Sequence, residues 1–203
     1  MPTKDSSLLR QQLLSQRLSL EASNLSQKLA WDEQINANLA VFLKSLENQV
    51  QSIAFYWPIK GEPDIRASLI EWSKAHADRC LALPITHRNL PLKFHRWDET
   101  AIMRNGAFQI PEPENTPEIS VDIIIAPCLG WLKASTGSWR LGYGGGYYDR
   151  TLQSLHSVNR PQYFIGIAYE IGKLDPKDWE PQEHDIKLDL IITNATTYLS
   201  KQS

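Results

Sequence analysis

The fold class is decided by Val121-Asp122-Ile123-Ile124-Ile125-Ala126-Pro127, a short run that is apolar apart from one aspartate and that ends at a proline. A strand with one face in water alternates apolar and polar residues, whereas a strand covered on both faces is continuously apolar. The run is therefore expected to form a buried strand of a parallel sheet, with helices covering both faces.

Other segments on both sides of this run have the composition of strands. They are residues 53–57, which stop at Pro58, and residues 81–83, 90–97, 163–169 and 188–193. The segment 106–114 is a proline-interrupted connection of the kind that lies beside binding sites.

Helical spacing of apolar residues separates these strands. Leucines from Ser6 to Leu18 predict an amphipathic first helix, and a second helix, bent or broken inside, runs from about Leu20 to Glu47. Residues 65–79 form a third predicted helix, and a fourth ends near His156. Because strands alternate with helices, the sequence predicts a three-layer α/β/α fold, a single domain over residues 1–203, with a mainly parallel sheet and ligands beyond the carboxyl ends of its strands.

The composition excludes several classes of protein. The 203 residues include 21 basic and 23 acidic ones, so no overall field would recruit nucleic acid or an anionic membrane. No segment approaches the roughly 20 apolar residues of a membrane helix, and residues 1–17 lack the pattern of a signal peptide. Cys80 and Cys128 have no metal-ligand spacing and are expected to be small buried apolar residues, as in a reducing compartment. We expect a monomer in the cytoplasm.

The most distinctive stretch is Arg140-Leu141-Gly142-Tyr143-Gly144-Gly145-Gly146-Tyr147-Tyr148-Asp149-Arg150, which places four glycines in five positions ahead of a predicted helix. Glycines let the backbone approach a ligand, and the N–H groups of such a loop can hold phosphate oxygens. The spacing is neither the Walker pattern nor a clean dinucleotide fingerprint. Alone, the loop fits a flexible turn as well as a phosphate site. The tyrosines and aspartate beside it favour a magnesium-bound nucleotide next to a flat heterocycle.

This stretch resembles the signature of the 5-formyltetrahydrofolate cyclo-ligase family, Arg-Leu-Gly-x-Gly-x-Gly-Tyr-Tyr-Asp, and matches it at every fixed position. The resemblance extends over nearly the whole chain. The other matching segments are Leu9-Arg10 and Arg17, Tyr56 to Asp64 with Gly61-Glu62, Gly106 to Pro113 with Ile110 and Glu112-Pro113, and Glu183-His184-Asp185. Such an ordered set is much more specific than any single motif.

The resemblance implies an enzyme that uses ATP as co-substrate and Mg²⁺ as cofactor to close 5-formyltetrahydrofolate to 5,10-methenyltetrahydrofolate. The implied ATP-binding residues are Ser6, Arg10, Arg140, Leu141, Gly142, Tyr143, Gly144, Gly145, Gly146, Tyr147 and Tyr148. The implied folate-binding residues are Trp57, Glu62, Tyr143, Gly144, Gly145, Gly146 and Tyr147. Arg140 and Tyr147 are the implied catalytic residues, and Asp149 and Asp185 are the implied magnesium ligands.

Several of these residues also admit plainer interpretations. The Glu62 carboxylate would pair with the amino group and ring N–H of the pterin, but a Gly-Glu-Pro turn also suits a solvated residue. Arg17 shares a helix face with Arg10 and fits a solvated ion pair, so only Arg10 is assigned to the site. The family has a lysine where this chain has Ser6, so either Lys4 replaces that cation or the cation is missing.

Two other functional classes stay open at this point. A non-catalytic nucleotide-binding protein of the same fold would keep the glycine loop and lose the folate pocket, and the departure at Ser6 favours it. Glu62 and Trp57 argue against it, although Trp57, ahead of a proline, also fits a plain core residue. A dinucleotide oxidoreductase would need a strand directly before the loop, and residues 135–139 are not predicted to form one.

Overall fold

The computed structural model describes residues 6–46, 49–155 and 162–200. Its helices are α1 (Ser6–Ser23), α2 (Leu25–Leu46), α3 (Arg66–Lys74) and α4 (Tyr147–Leu155). Its strands are β1 (Ser52–Ala54), β2 (Cys80–Ile85), β3 (Lys93–Trp97), β4 (Met103–Asn105), β5 (Pro111–Pro113), β6 (Ile123–Pro127), β7 (Gly130–Ala134), β8 (Gly137–Leu141), β9 (Tyr163–Ile167), β10 (Leu190–Ile192) and β11 (Thr197–Leu199).

Seven of the strands form one sheet in the order β11-β10-β9-β6-β1-β2-β3. The inner strands β10, β9, β6, β1 and β2 run parallel to one another, whereas the edge strands β3 and β11 pair antiparallel with their neighbours. β6 lies in the middle of the sheet, and all of its residues are buried. The prediction of a mainly parallel α/β sheet is confirmed.

The two faces of the sheet are covered by different elements. Ile123 and Ile125 of β6 belong to a cluster that includes Leu39 of α2 and residues of α3. Successive side chains of a strand point to opposite faces. Accordingly, Ile124 belongs to a second cluster, which it shares with Leu152 of α4 and a residue of β7. Helices therefore flank the sheet on both sides, as the three-layer prediction requires.

The first two helices are divided at Asn24, five residues later than predicted. The Asn24 side-chain oxygen accepts a hydrogen bond from the N–H of Gln27 at 3.2 Å. This is the N-cap arrangement with which a helix begins, so α1 continues to Ser23 and α2 starts at Leu25. The predicted start of the second helix at Leu20 is wrong.

Other element ends also differ from the predictions. β1 ends at Ala54 instead of residue 57, and α3 ends at Lys74 instead of residue 79, while β2 is longer than the predicted 81–83. Strands β4, β5, β7, β8 and β11 were not predicted, because they form two-stranded ribbons or an edge of the main sheet and lack the apolar run of a buried strand. The predicted helix end at His156 lies outside the described residues.

Cys128 is buried as predicted, whereas Cys80 is only half-buried at the start of β2. No helix within residues 6–46, 49–155 or 162–200 is long and apolar enough to cross a bilayer. That residues 1–203 form a single domain stays a prediction.

The cluster beneath α2 gives a stability prediction. Leu39 is fully buried there, so Leu39→Ala is expected to lower the free energy of unfolding by about 2–5 kcal/mol. Val41→Ala on the same helix is the matched control, since Val41 is 72% exposed, and its effect should stay within about 0.5 kcal/mol. Urea denaturation followed by circular dichroism measures both values. Equal losses in the two variants would contradict this packing.

Candidate active site

Three segments of the chain meet beyond the carboxyl end of β1. The loop after β1 carries Glu62, the glycine loop of residues 142–146 joins β8 to α4, and α1 contacts both loops through Arg10 and Arg17. Because β1 is one of the parallel strands, its following loop lies at their carboxyl ends, where ligands of parallel α/β sheets bind. The predicted location of the site therefore agrees with the fold.

The strand β8 runs directly into the glycine loop, although residues 135–139 were not predicted to form a strand. That prediction is wrong because β8 is held by a partner that a local pattern does not reveal. β8 pairs antiparallel with β7, with Leu141 opposite Gly130, in a two-stranded ribbon separate from the main sheet. A dinucleotide fingerprint requires a strand of the parallel sheet at this point, and the ribbon does not supply one.

The backbone N–H groups of the glycine loop are not used by the described part of the protein. Gly144 has a φ of 93° and Gly146 a φ of 65°, values at which any side chain would be strained. The N–H groups of residues 142–146 donate to no other residue of the described ranges. α4 begins immediately afterwards, at Tyr147, so the N–H groups of its first turn adjoin the loop. Such an array of donors suits a phosphate.

Arg140, the penultimate residue of β8, is held beside the loop. Its Nη2 donates to Asp149 Oδ2 at 2.9 Å, and its guanidinium carbon lies 5.0 Å from the centre of the Tyr148 ring. A Cβ atom on Gly142 would lie 2.6 Å from Nη1, so a larger residue there would displace the guanidinium. The Nε of Arg140 is buried without a partner in the described part of the chain. Arg140 is thus a fixed, dehydrated cation with donors for an anion.

Two more arginines border the glycine loop. Arg10 Nε donates to the carbonyl oxygen of Gly142 at 2.9 Å, so the predicted residue of α1 does reach the loop. Arg150 Nη2 donates to the carbonyl oxygen of Gly145 at 2.8 Å, and its guanidinium lies 4.9 Å from the centre of the Tyr147 ring. Arg150 was not assigned because it stands one residue beyond the signature.

Glu62 is a buried carboxylate, only 3% exposed, which excludes a solvated turn residue. Its Oε2 accepts a hydrogen bond from the N–H of Ile59 at 2.9 Å, and its Oε1 accepts one from the Tyr143 hydroxyl at 2.6 Å. Burial raises the pKa of the Glu62 carboxyl, and the nearby charge of Arg17 opposes that shift. Each oxygen has a second lone pair, with which the carboxylate can accept donors from a ligand.

Arg17 is a residue of this site that was not predicted. It is only 4% exposed, its Nε donates to the carbonyl oxygen of Lys60 at 2.9 Å, and its Nη2 donates to the Tyr143 hydroxyl oxygen. The interpretation as a solvated pair partner is therefore wrong. The seven-residue spacing from Arg10 was the available signal, because it places both guanidinium groups on one face of α1.

Two aromatic side chains border these loops. Trp57 is half-buried, with the Arg66 guanidinium 4.7 Å from its ring centre and the Trp97 ring edge-on at 6.3 Å. Phe108, in the connection 106–114, is 71% exposed and lies 6.1 Å from the Tyr147 ring. Its φ of 57° is unusual for a side chain of this size, and such strain is typical of functional loops. The connection does lie beside the site, as predicted.

The predicted magnesium ligands have different surroundings. Asp149 Oδ2 is paired with Arg140, and the Asp149 side chain is 16% exposed. Asp185 Oδ2 accepts a hydrogen bond from the N–H of Gln182 at 2.7 Å. Among the described residues, no three His, Cys, Asp or Glu side chains are grouped to hold a metal ion. Mg²⁺ in phosphate sites needs only one or two carboxylates beside phosphate oxygens and water, so Asp149 fits this role.

Two residues at the start of the chain, Ser6 and Lys4, were considered for nucleotide binding. Ser6 is the first residue of α1 and is half-buried. Lys4, the residue that would replace the family's lysine, lies outside the described residues. The contribution of both residues to nucleotide binding stays a prediction.

A comparison with known families decides the classification of this chain. The model of the 5-formyltetrahydrofolate cyclo-ligase family matches residues 2–194. The chain belongs to the 5-formyltetrahydrofolate cyclo-ligase family. The resemblance seen in the motif is confirmed, and family membership makes the chain an enzyme.

Relatives of this cyclo-ligase family member match over most of their length. A 5-formyltetrahydrofolate cyclo-ligase of Mycoplasma pneumoniae is 31% identical over 191 residues, which cover 94% of this chain and 99% of that protein. The solved structure of a 5,10-methenyltetrahydrofolate synthetase from Mycoplasma pneumoniae matches with a TM-score of 0.72 at 28% identity, covering 94% and 99% of the two chains. The NMR structure of 5,10-methenyltetrahydrofolate synthetase from Aquifex aeolicus gives a TM-score of 0.74 at 27% identity, covering 98% and 94%.

Membership of the cyclo-ligase family also decides between the competing hypotheses. The oxidoreductase hypothesis is wrong, since the chain is a ligase by family and its loop follows a ribbon rather than a parallel strand. The hypothesis of a non-catalytic nucleotide-binding protein gains no support, because the relatives that match most of the chain are named as enzymes.

Proposed function

We propose that the chain closes 5-formyltetrahydrofolate to 5,10-methenyltetrahydrofolate with ATP and Mg²⁺, releasing ADP and phosphate. One observation carries the proposal: the Tyr143 hydroxyl of the glycine loop donates to the buried Glu62 carboxylate at 2.6 Å. A loop suited to phosphate is thereby adjacent to an acceptor suited to a heterocycle. A reaction between a nucleotide and a pterin requires this proximity.

The glycine loop would hold the triphosphate of ATP. The backbone N–H groups of residues 142–146 and the buried guanidinium of Arg140 supply donors and positive charge there. Arg10 supports the loop from α1 through the Gly142 carbonyl oxygen. The other implied ATP-binding residues, Leu141, Tyr147 and Tyr148, adjoin the loop in sequence, and Ser6 would reach it from the first turn of α1.

The buried Glu62 carboxylate would bind the pterin ring of the folate. The amino group and the ring N–H of a pterin form a pair of donors that matches the two oxygens of an ionised carboxylate. Trp57, which follows β1 in the same loop, would line the pocket with its half-buried indole ring. The glycine loop residues Tyr143 to Tyr147 would face both ligands, because Tyr143 already contacts Glu62.

The reaction needs placement and charge neutralisation more than a protein nucleophile. The formyl oxygen attacks the terminal phosphorus of ATP, and the bond to ADP breaks. The neighbouring nitrogen then attacks the formyl carbon and gives up its proton, and the carbon–oxygen bond breaks as phosphate leaves. Arg140 would stabilise the negative charge on the transferred phosphoryl group, and Tyr147 would orient the reacting groups.

Magnesium would be held by Asp149 and Asp185. When bound, the ion offsets the negative charge of the phosphates and of the departing ADP. Asp149 would then divide its oxygens between Arg140 and the metal, so the arginine fixes the carboxylate that the metal needs. Both assignments rest on the family signature and on the hard oxygen donors of these side chains.

The setting of the reaction is proposed from the composition. With 21 basic and 23 acidic residues, the chain has no net field that would favour nucleic acid or a membrane surface. We therefore propose partners that are small molecules only. A cytoplasmic location is proposed because the cysteine usage fits a reducing compartment, and a monomeric state is proposed with it.

A single assay tests the proposed function. Purified protein, 5-formyltetrahydrofolate and Mg-ATP are expected to give the absorbance of the methenyl product, with one ADP and one phosphate released per product. Omission of ATP or removal of magnesium with a chelator should abolish the signal. ATP binding without any product would instead favour a nucleotide-binding protein that lacks catalysis.

A further inference from the structure

The Tyr143 hydroxyl lies between a buried cation and a buried carboxylate. It donates to Glu62 Oε1 at 2.6 Å and accepts a hydrogen bond from Arg17 Nη2. The Tyr143 ring is also flanked by the guanidinium carbon of Arg17 at 5.4 Å and by Lys60 Nζ at 5.5 Å, both measured to the ring centre. These hydrogen bonds join α1 to both loops, because Arg17, Tyr143 and Glu62 belong to three different segments of the chain.

Arg17 also contacts the backbone of the turn that carries Glu62. Its Nε donates to the Lys60 carbonyl oxygen at 2.9 Å, two residues before Glu62. Gly61 lies between them with a φ of 71°, and a Cβ atom there would lie 3.5 Å from Arg17 Cγ. One guanidinium therefore fixes both the turn that carries the carboxylate and the hydroxyl that contacts it.

We propose that Arg17, acting through Tyr143, is the positioning residue that keeps Glu62 ionised and oriented for the folate. The inference rests on the proposed function, because it assigns the folate to Glu62. A protonated carboxylic acid carries an O–H donor, which would face a donor of the pterin instead of accepting from it. Arg17 need not touch either substrate for this role, so it is not a catalytic residue.

The ionisation of Glu62 depends on groups from several elements. Burial raises the pKa of its carboxyl, whereas the charge of Arg17, the Tyr143 hydrogen bond and the charge of Lys60 oppose that shift. Titratable groups near the carboxylate also include Tyr56 of its own loop, Cys128 after β6 and Tyr148 of α4. Glu21 of α1 lies against the same turn, since a Cβ atom on Gly61 would be 3.2 Å from its Oε2. Removing the Arg17 charge would raise the pKa of Glu62 further. The ionised form would then be lost at a higher pH as the solution is acidified.

The test is the pH profile of kcat/KM for 5-formyltetrahydrofolate, measured from about pH 5 to 9, because this ratio reports ionisations of the free enzyme. Arg17→Met is expected to shift the acidic limb upward by about one pH unit or more. Arg17→Lys keeps a charge and should shift it less. Lys44→Met, which removes an exposed cation of α2, is the matched control and should leave the limb in place.

The outcomes separate this inference from the proposed function. Absence of product with the unmodified enzyme would refute the proposed function itself. A different result would overturn only the positioning role. In that case the unmodified enzyme forms product, and the Arg17→Met variant has a lower kcat/KM at every pH while its acidic limb stays at the same pH. If Arg17→Met does not fold, Tyr143→Phe replaces it in the test. Loss of its hydroxyl should move the limb in the same direction, and an unmoved limb would overturn the inference.

Discussion

Replacement of Asp149 by asparagine is expected to lower the kcat of the ATP-dependent reaction about 1000-fold, the scale of losing a main electrostatic contact in a transition state. Asparagine has the shape of aspartate and keeps an oxygen for the Arg140 Nη2 donor, which now lies 2.9 Å from Oδ2. It lacks the negative charge that a magnesium ligand needs and that neutralises the buried guanidinium. Turnover measured at saturating ATP over a range of magnesium concentrations tests this expectation.

Two controls isolate the role of Asp149. Asp78→Asn removes an exposed aspartate from the turn before β2 and should leave kcat unchanged. Circular dichroism and the urea midpoint of Asp149→Asn establish whether its fold is intact. Near-normal turnover of Asp149→Asn in excess magnesium would rule out Asp149 as a metal ligand.

Replacement of Glu62 by glutamine is expected to raise the KM for 5-formyltetrahydrofolate about 100-fold, since a hydrogen bond to a charged group contributes about 1.5–3 kcal/mol. Glutamine keeps one oxygen for the Tyr143 hydroxyl, but its amide N–H₂ would face the N–H of Ile59 and a pterin donor, neither of which it can accept. The KM for ATP should change by less than about threefold, because the glycine loop keeps its own donors. Steady-state kinetics with each substrate varied in turn separates the two effects.

The acid side of the pH profile adds a second measurement on Glu62→Gln. Because burial raises the pKa of Glu62, the unmodified enzyme should lose folate affinity as the pH falls through that raised value. The glutamine variant has no carboxyl at this position and should lack that acidic limb. Glu118→Gln, at an exposed residue paired with Lys93, is the matched control. An unchanged KM for 5-formyltetrahydrofolate in Glu62→Gln would refute the assignment of the Glu62 carboxylate to the pterin pocket.

The main architecture was predictable from the sequence because its signals are local. The continuous apolar run of β6 identified a strand covered on both faces, and alternation of strands with helices gave the parallel sheet. The glycines of the loop and the arginine and aspartate beside it were predictable for the same reason, since they stand within eleven consecutive residues, 140–150. Local patterns therefore revealed the part of the candidate site that the glycine loop forms.

The parts that could not be predicted depend on contacts between distant residues. Arg17 appeared to be a surface residue because a helix pattern says nothing of the Lys60 carbonyl oxygen that it meets. β8 was missed because its strand character comes from pairing with β7 rather than from an apolar run. Tertiary context decided these two positions. The N-cap at Asn24 is a different case, because its hydrogen bond with Gln27 is local and asparagine is favoured at helix N-caps, so the sequence carried the signal for this boundary.

The hydrogen bond between Arg17 and Tyr143 spans 126 positions of the chain. During synthesis at about 5–20 residues per second, α1 leaves the ribosome roughly 6 to 25 s before its partner does. Before that point Arg17 can already meet the Lys60 carbonyl oxygen, but Glu62 has no hydroxyl donor from Tyr143 and the glycine loop does not exist. A nascent or prematurely terminated chain that ends before the glycine loop should therefore recognise neither substrate, and competence should arrive in one late step.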